Sequence, residues 1–253
     1  MPKLILALFL LLAGALISPV MKASEAPAPI PTLEARYTHK RSQRHDLPYL
    51  ITLPEGYSKS ARKKWPLLVF LHGAGERGNQ LKLVTMHGPP QLARQGNPLP
   101  FIVVSPQCPL DQVWDDEAVL GLIEHLLVRH QADPKRVYLT GLSMGGFGTW
   151  SLASRHPERF AAVVPICGGG DTIPLLLASK EKKASLRKLG VWAFHGAKDS
   201  VVPLAESERM IQSFKRAGHP DAKLTVYSEA DHKSWTEAYN NPEIYRWMLG
   251  FHR

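Results

Sequence analysis

Ser143, Asp199 and His232 are the residues whose types and order could carry chemistry in this 253-residue chain. A serine hydroxyl is a weak nucleophile until a base within hydrogen-bond reach takes its proton, and the base needs an acid to orient it. Serine, acid, histidine is one of the chain orders in which that geometry occurs. Ser143 lies in Gly141-Leu142-Ser143-Met144-Gly145, after the apolar run Val137-Tyr138-Leu139 and before a helical pattern from Met144 to Arg155. Such a context reads as strand, sharp turn and helix, with the hydroxyl lifted clear of the sheet and the Met144 amide left free at the helix start. A bare Gly-x-Ser-x-Gly arises by chance in roughly one chain in ten of this length. The alternative is a structural serine in a glycine-rich turn, and the flanking strand and helix favour the nucleophile.

Asp199 follows the apolar run Val191-Trp192-Ala193-Phe194-His195 in Gly196-Ala197-Lys198-Asp199, and His232 follows Leu224-Thr225-Val226-Tyr227 in Ala230-Asp231-His232. Both lie just beyond strand ends, on the edge of an open α/β sheet where ligands bind. Asp171, after Cys167-Gly168-Gly169-Gly170, is the alternative acid. Asp231 is too near His232 in sequence to face its ring. His72 and His195 lie inside turns and are read as local hydrogen-bonding groups. A second oxyanion donor is expected from the loop His72-Gly73-Ala74-Gly75-Glu76-Arg77-Gly78, with the Ala74 amide as partner to that of Met144. Trp114 and Trp235, near these loops, are expected to line the site.

The elements that must position these residues alternate strand with helix. Strands are predicted around Arg36–Thr38, at Tyr49–Leu53, Trp65–Leu71, Pro100–Pro106 and Val137–Leu142, then at Phe160–Cys167, Val191–His195 and Leu224–Tyr227. Continuous apolar runs mark strands buried on both faces. Helices are predicted at Pro89–Gln95, Val113–His130, Met144–Arg155, Leu175–Leu189, Ala205–Ala217 and Pro242–Phe251. The alternation implies an α/β fold with a mostly parallel sheet covered on both faces. One domain over residues 35–253 accounts for it, with no length to spare for a large lid.

With these residues in view, the chain resembles the α/β-hydrolase superfamily over nearly all of residues 35–253. The stretches Phe70-Leu71-His72-Gly73-Ala74-Gly75-Glu76-Arg77-Gly78, Ser105-Pro106-Gln107-Cys108-Pro109, Gly141-Leu142-Ser143-Met144-Gly145-Gly146 and Phe194-His195-Gly196-Ala197-Lys198-Asp199 look like the phospholipase/carboxylesterase and dienelactone-hydrolase-like group. Close relatives in that group carry labels such as predicted peptidase, polyhydroxybutyrate-depolymerase-like and feruloyl-type esterase. The resemblance implies ester hydrolysis by a Ser-Asp-His triad without a cofactor, and no metal site is expected. Dienelactone hydrolases themselves use a cysteine nucleophile, which this elbow lacks. In the family's strand order Cys108 and Cys167 follow strands with two others between them, about 14 Å apart, too far for a disulfide unless the loops converge.

Residues 1–23 read as a secretory signal: Met1-Pro2-Lys3, the apolar run Leu4 to Ile17, and small residues up to Ala23 or Ala26. The run is short for a membrane span, and no cysteine follows it to carry a lipid; an uncleaved N-terminal anchor is the alternative to a cleaved signal. Residues 24–34 form a Pro-rich linker, and the mature protein is expected to be exported. Without the leader it holds 29 basic against 22 acidic residues, a net of +7. The basic runs Arg62-Lys63-Lys64 and Lys180 to Lys183 lack interleaved aromatics, so they read as solvated surface and not as a nucleic-acid platform. The expected partner is a small-molecule or polysaccharide-linked ester, with no stable membrane insertion; the oligomeric state is left open. A serine peptidase or acyltransferase would use the same triad, and a non-catalytic binding module on the same fold is a further alternative.

Overall fold

A computed structural model of the chain describes residues 32–40, 44–58 and 62–253. The expected signal and most of the linker lie outside the described residues. In chain order the elements are β1 (Thr32–Lys40), β2 (Arg44–Thr52), β3 (Trp65–Leu71), α1 (Gly88–Arg94), β4 (Ile102–Pro106), α2 (Asp116–Arg129), β5 (Ala132–Leu142) and α3 (Met144–Arg155). They continue with β6 (Ala162–Ile166), α4 (Ile173–Leu176), α5 (Lys180–Leu186), β7 (Gly190–Gly196), α6 (Leu204–Arg216), β8 (Lys223–Tyr227), α7 (Trp235–Asn240) and α8 (Pro242–Leu249). No helix among the described residues is long and apolar enough to cross a membrane.

The strands form one eight-stranded sheet in the order β1-β2-β4-β3-β5-β6-β7-β8. β1 and β2 join it antiparallel, and β3 to β8 run parallel. This is the α/β-hydrolase fold, without a large lid among the described residues. Successive side chains of a strand point to opposite faces, so β3 sends Leu67, Val69 and Leu71 into one core and Leu68 and Phe70 into the other. The first core is closed by Leu122, Leu126, Trp150 and Phe214 from α2, α3 and α6. Ala238, Tyr239, Ile244 and Met248 from α7 and α8 close the second. Both faces of the central strands are therefore dry, as their unbroken apolar runs require.

Three local differences from the sequence reading have physical causes. β1 starts at Thr32, ahead of residue 35, because its ladder with β2 pairs Thr32 with Thr52. The single helix expected over Leu175–Leu189 is two short ones, since Ser179 accepts the Lys182 N–H and starts α5 afresh. α7 was not expected, being a single apolar-faced turn and a half directly after the His232 loop.

Candidate active site

The elbow is built by close backbone approach. Ser143 has φ 52° and ψ −116°, a left-handed conformation that strains a residue with a Cβ by about 1–3 kcal/mol. The turn around it tolerates no further atoms: a Cβ on Gly145 would lie 1.9 Å from the Leu71 carbonyl oxygen, and one on Gly141 2.3 Å from that of Gly145. The strain is held by the buried β5–α3 unit, with the Ser143 amide donating to the Ile166 carbonyl at 3.0 Å.

His232 arrives from β8, three strands away from β5 in the sheet. The loop after β8 folds back across the end of β7, where a Cβ on Gly196 would lie 2.3 Å from the Asp231 carbonyl oxygen. Only a glycine leaves room for that crossing. The result brings the three sequence-derived residues together. His232 Nδ1 donates to Asp199 Oδ2 at 2.8 Å, and His232 Nε2 lies 2.9 Å from Ser143 Oγ. Because a carboxylate only accepts, Nδ1 carries the proton and Nε2 presents its lone pair to the serine hydroxyl.

Asp199 is buried, which on its own raises a carboxyl pKa. Hydrogen bonds from His232 and from the Val202 and Val201 amides outweigh the burial and hold it below the ordinary value. Both amides bond Oδ1, at 2.8 and 2.9 Å, leaving Oδ2 to the histidine. His195 Nε2 comes within 3.3 Å of the same Oδ2 and donates to the Val202 carbonyl at 2.9 Å. It thus braces the loop that carries the acid. Asp171, the alternative acid, pairs with Arg155 at 3.0 Å instead of with His232. Asp231 accepts the Lys233 N–H and caps the turn that holds His232.

Ala74 and Met144 are the first residues of their helical turns, so their amides have no intrahelical acceptor. The Ala74 loop is clamped in place. His72 Nε2 accepts the Cys108 N–H at 2.9 Å, so Nδ1 carries the proton and donates to the Gly73 carbonyl at 2.6 Å. Burial pushes the His72 pKa down to about 4, which keeps this clamp neutral. The Gly73 amide donates to Glu76 Oε2, and buried Gln107 donates to the Glu76 and Gln80 carbonyls. Trp114 Nε1 donates to the His72 carbonyl at 3.0 Å.

A cavity of about 510 Å³ opens beside Ser143, with Trp114, Met144 and Phe147 among its walls. Trp235 does not line this cavity; it packs edge-on against His232 with ring centroids 5.3 Å apart and backs the base. Cys167 escaped the sequence reading as part of this region. It has φ 41°, and its sulfur lies with Asp199 and His232 ligand atoms in a group within 4.8 Å of one another. Cys167 and His232 would each have to give up a proton before the group could hold a metal ion, since burial pushes the Cys167 thiol up to about 12 and His232 Nδ1 donates its proton to Asp199.

Residues 108–243, just over half of the chain, match the family model described as "Dienelactone hydrolase family". The chain belongs to the dienelactone hydrolase family. Within that family setting the turn between β5 and α3 holds a serine, Ser143. A bifunctional acetylxylan esterase/xylanase of Neocallimastix patriciarum is 28% identical over 191 residues, covering 72% of this chain and 26% of that protein. A thermostable esterase of known structure superimposes with a TM-score of 0.69 at 31% identity, over 87% of this chain and 63% of that one. A ferulic acid esterase gives a TM-score of 0.64 at 20% identity, over 86% and 99%, and shares the fold. The chain thus spans about a quarter of the length of the xylanase relative and under two thirds of the thermostable esterase.

Proposed function

We propose that this chain is a carboxylic ester hydrolase, a serine esterase that is exported and acts on small acyl esters or on esters attached to a polymer. His232 takes the Ser143 proton as Oγ attacks the ester carbonyl, and Asp199 stabilises the imidazolium that forms. The Ala74 and Met144 amides receive the negative oxygen, each such donor being worth roughly 3–4 kcal/mol in related acyl transfers. His232 then passes its proton to the leaving alcohol, and a water that it deprotonates releases the acid from Ser143. The observation that carries this reading is the unbroken relay from Asp199 through His232 to Ser143, at 2.8 and 2.9 Å, onto a serine held in a strained conformation. The acetylxylan esterase relative supports an ester substrate on a polymer.

A peptidase would use the same relay and differs in leaving group. Turnover of p-nitrophenyl acetate far exceeding that of an aminoacyl p-nitroanilide is the expected result; preference for the anilide overturns the esterase reading. An acyltransferase would divert product to an added alcohol. Export rests on the basic start, the apolar run and the small residues up to Ala23 or Ala26, which precede the first strand at Thr32. Intact-mass measurement of the protein recovered outside the producing cells should place its first residue at Ser24 or Pro27.

A further inference from the structure

We infer that the exposed side of α4, with the basic segment that follows it, is a reversible docking surface for an anionic lipid bilayer. The inference stands apart from the ester-hydrolase reading, because binding to lipid is measured without turnover. Ile173 and Leu176 of α4 and Leu177 just beyond it are 58%, 77% and 77% exposed. Leu175, between them, is buried in the first core, and Leu186 and Leu189 of the following segment are buried in the same core. The segment is therefore anchored to the domain, and the three aliphatic side chains are bare above an anchored backbone. Single exposed apolar side chains are ordinary on a protein surface. Three within five residues make a patch, and a patch marks a surface that something covers.

The charges beside the patch decide what covers it. From residue 180 to residue 188 the chain holds five basic residues, Lys180, Lys182, Lys183, Arg187 and Lys188, against one acid, Glu181. Asp171 and Glu206, next to α4 and on α6, are paired with Arg155 and Arg209 and leave that excess uncompensated. A second copy of this chain, docked through the same patch on both partners, would bring two basic segments to one interface. An uncharged polymer surface would make no use of the charges. An anionic bilayer uses both features: aliphatic tips enter the headgroup boundary, and each lysine or arginine near the surface is drawn to the negative headgroups. The spacing fits, since Lys180 follows Leu177 by three residues, at most about 11 Å of chain. A lysine stem can then keep its ammonium at headgroup level while the leucine enters the acyl boundary.

The patch adjoins the cavity. Asp171, in the cavity wall, accepts the Ile173 amide at 2.9 Å. Val113 and Phe147 in the same wall are exposed apolar side chains as well. Docking through α4 thus sets the opening beside Ser143 close to the bilayer surface. The contact is peripheral, because no helix among the described residues is long and apolar enough to cross the bilayer.

The test is co-sedimentation of the protein, recovered without residues 1–23, with vesicles of phosphatidylcholine alone or of equal parts phosphatidylcholine and phosphatidylglycerol, at low and at high sodium chloride. Binding is expected to the mixed vesicles and not to phosphatidylcholine alone, and it should weaken as salt screens the surface. Each lysine near such a surface is worth about fivefold in affinity, so Lys180→Gln/Lys182→Gln/Lys183→Gln together should lower partitioning by roughly a hundredfold. Leu176→Ser/Leu177→Ser should lower it by about tenfold or more, through loss of apolar insertion. Neither variant should change the unfolding temperature by more than a degree or two, because surface substitutions away from packed features have little effect on stability. Equal binding to both vesicle types, or none to either, overturns the inference. Binding to the mixed vesicles that survives both variants overturns the assignment to α4 and its basic segment. A dimer in sedimentation velocity that Leu176→Ser/Leu177→Ser abolishes would show that a second copy covers the patch, and would overturn it too.

Discussion

At the scale of single residues, what matters is which atom holds a proton. Asp199 accepts three hydrogen bonds and has no proton of its own to give, so it fixes His232 in the tautomer that leaves Nε2 free for Ser143. An amide in its place can turn its N–H towards the histidine and select the wrong tautomer. Asp199→Asn should therefore lower kcat by roughly 10³–10⁴-fold with little change in KM, as read from steady-state kinetics on an ester. The meeting of Ser143, Asp199 and His232 was legible in the sequence because each sits a few residues beyond an apolar strand. The contacts that tune it were not. Trp235 backs the His232 ring, His195 reaches Asp199 and the Cys167 sulfur lies beside both, all through packing between loops far apart in the chain.

At the scale of elements, the elbow depends on two backbones passing closer than any side chain permits. Gly145→Ala would drive a Cβ into the Leu71 carbonyl and should cost roughly 3–5 kcal/mol or prevent folding. Gly75→Ala, where a Cβ meets nothing within 4 Å, should change the unfolding free energy by less than about 0.5 kcal/mol. Denaturant titration of the pair distinguishes close approach from a general intolerance of glycine loss. The loop after β3 gives a pH prediction. His72 has a folded pKa near 4 against 6.5 when free, so its contribution is complete above about pH 6.5 and is lost as pH falls towards 4. The gap in unfolding temperature between the parent chain and His72→Gln should narrow over that window; a constant gap would show that His72 is not held neutral by the fold. Strand positions were readable from apolar runs, since burial on both faces leaves no polar alternation. The split between α4 and α5, and α7 itself, were not readable, because Ser179 capping and the packing of Trp235, Ala238 and Tyr239 decide them.

At the scale of the whole molecule, the sheet places the site. β3, β5, β7 and β8 all run parallel, so the loops carrying Ala74, Ser143, Asp199 and His232 share one edge. The same order keeps Cys108 and Cys167 apart: they follow β4 and β6, with β3 and β5 between, about 14 Å by strand spacing. Both are buried and free. The unfolding temperature should thus be the same with and without reductant, and a thiol reagent should titrate two groups only after denaturation. A shift on reduction would mean that the two loops converge and a bridge forms. Fold class could be read from alternation alone, whereas the cavity could not. Val113, Phe147, Ser151 and Asp171 come from three separate segments whose meeting depends on the packing of α3 against the loops after β4 and β6.

Whether Ser143 is the covalent nucleophile is read most directly by peptide-level mass spectrometry after exposure to a fluorophosphonate probe, which phosphonylates an activated serine with loss of fluoride. A single adduct is expected on the peptide containing Ser143, formed in the parent chain, strongly slowed in His232→Ala and absent in Ser143→Ala. Ester turnover without an adduct on Ser143, or labelling that survives Ser143→Ala, would contradict it.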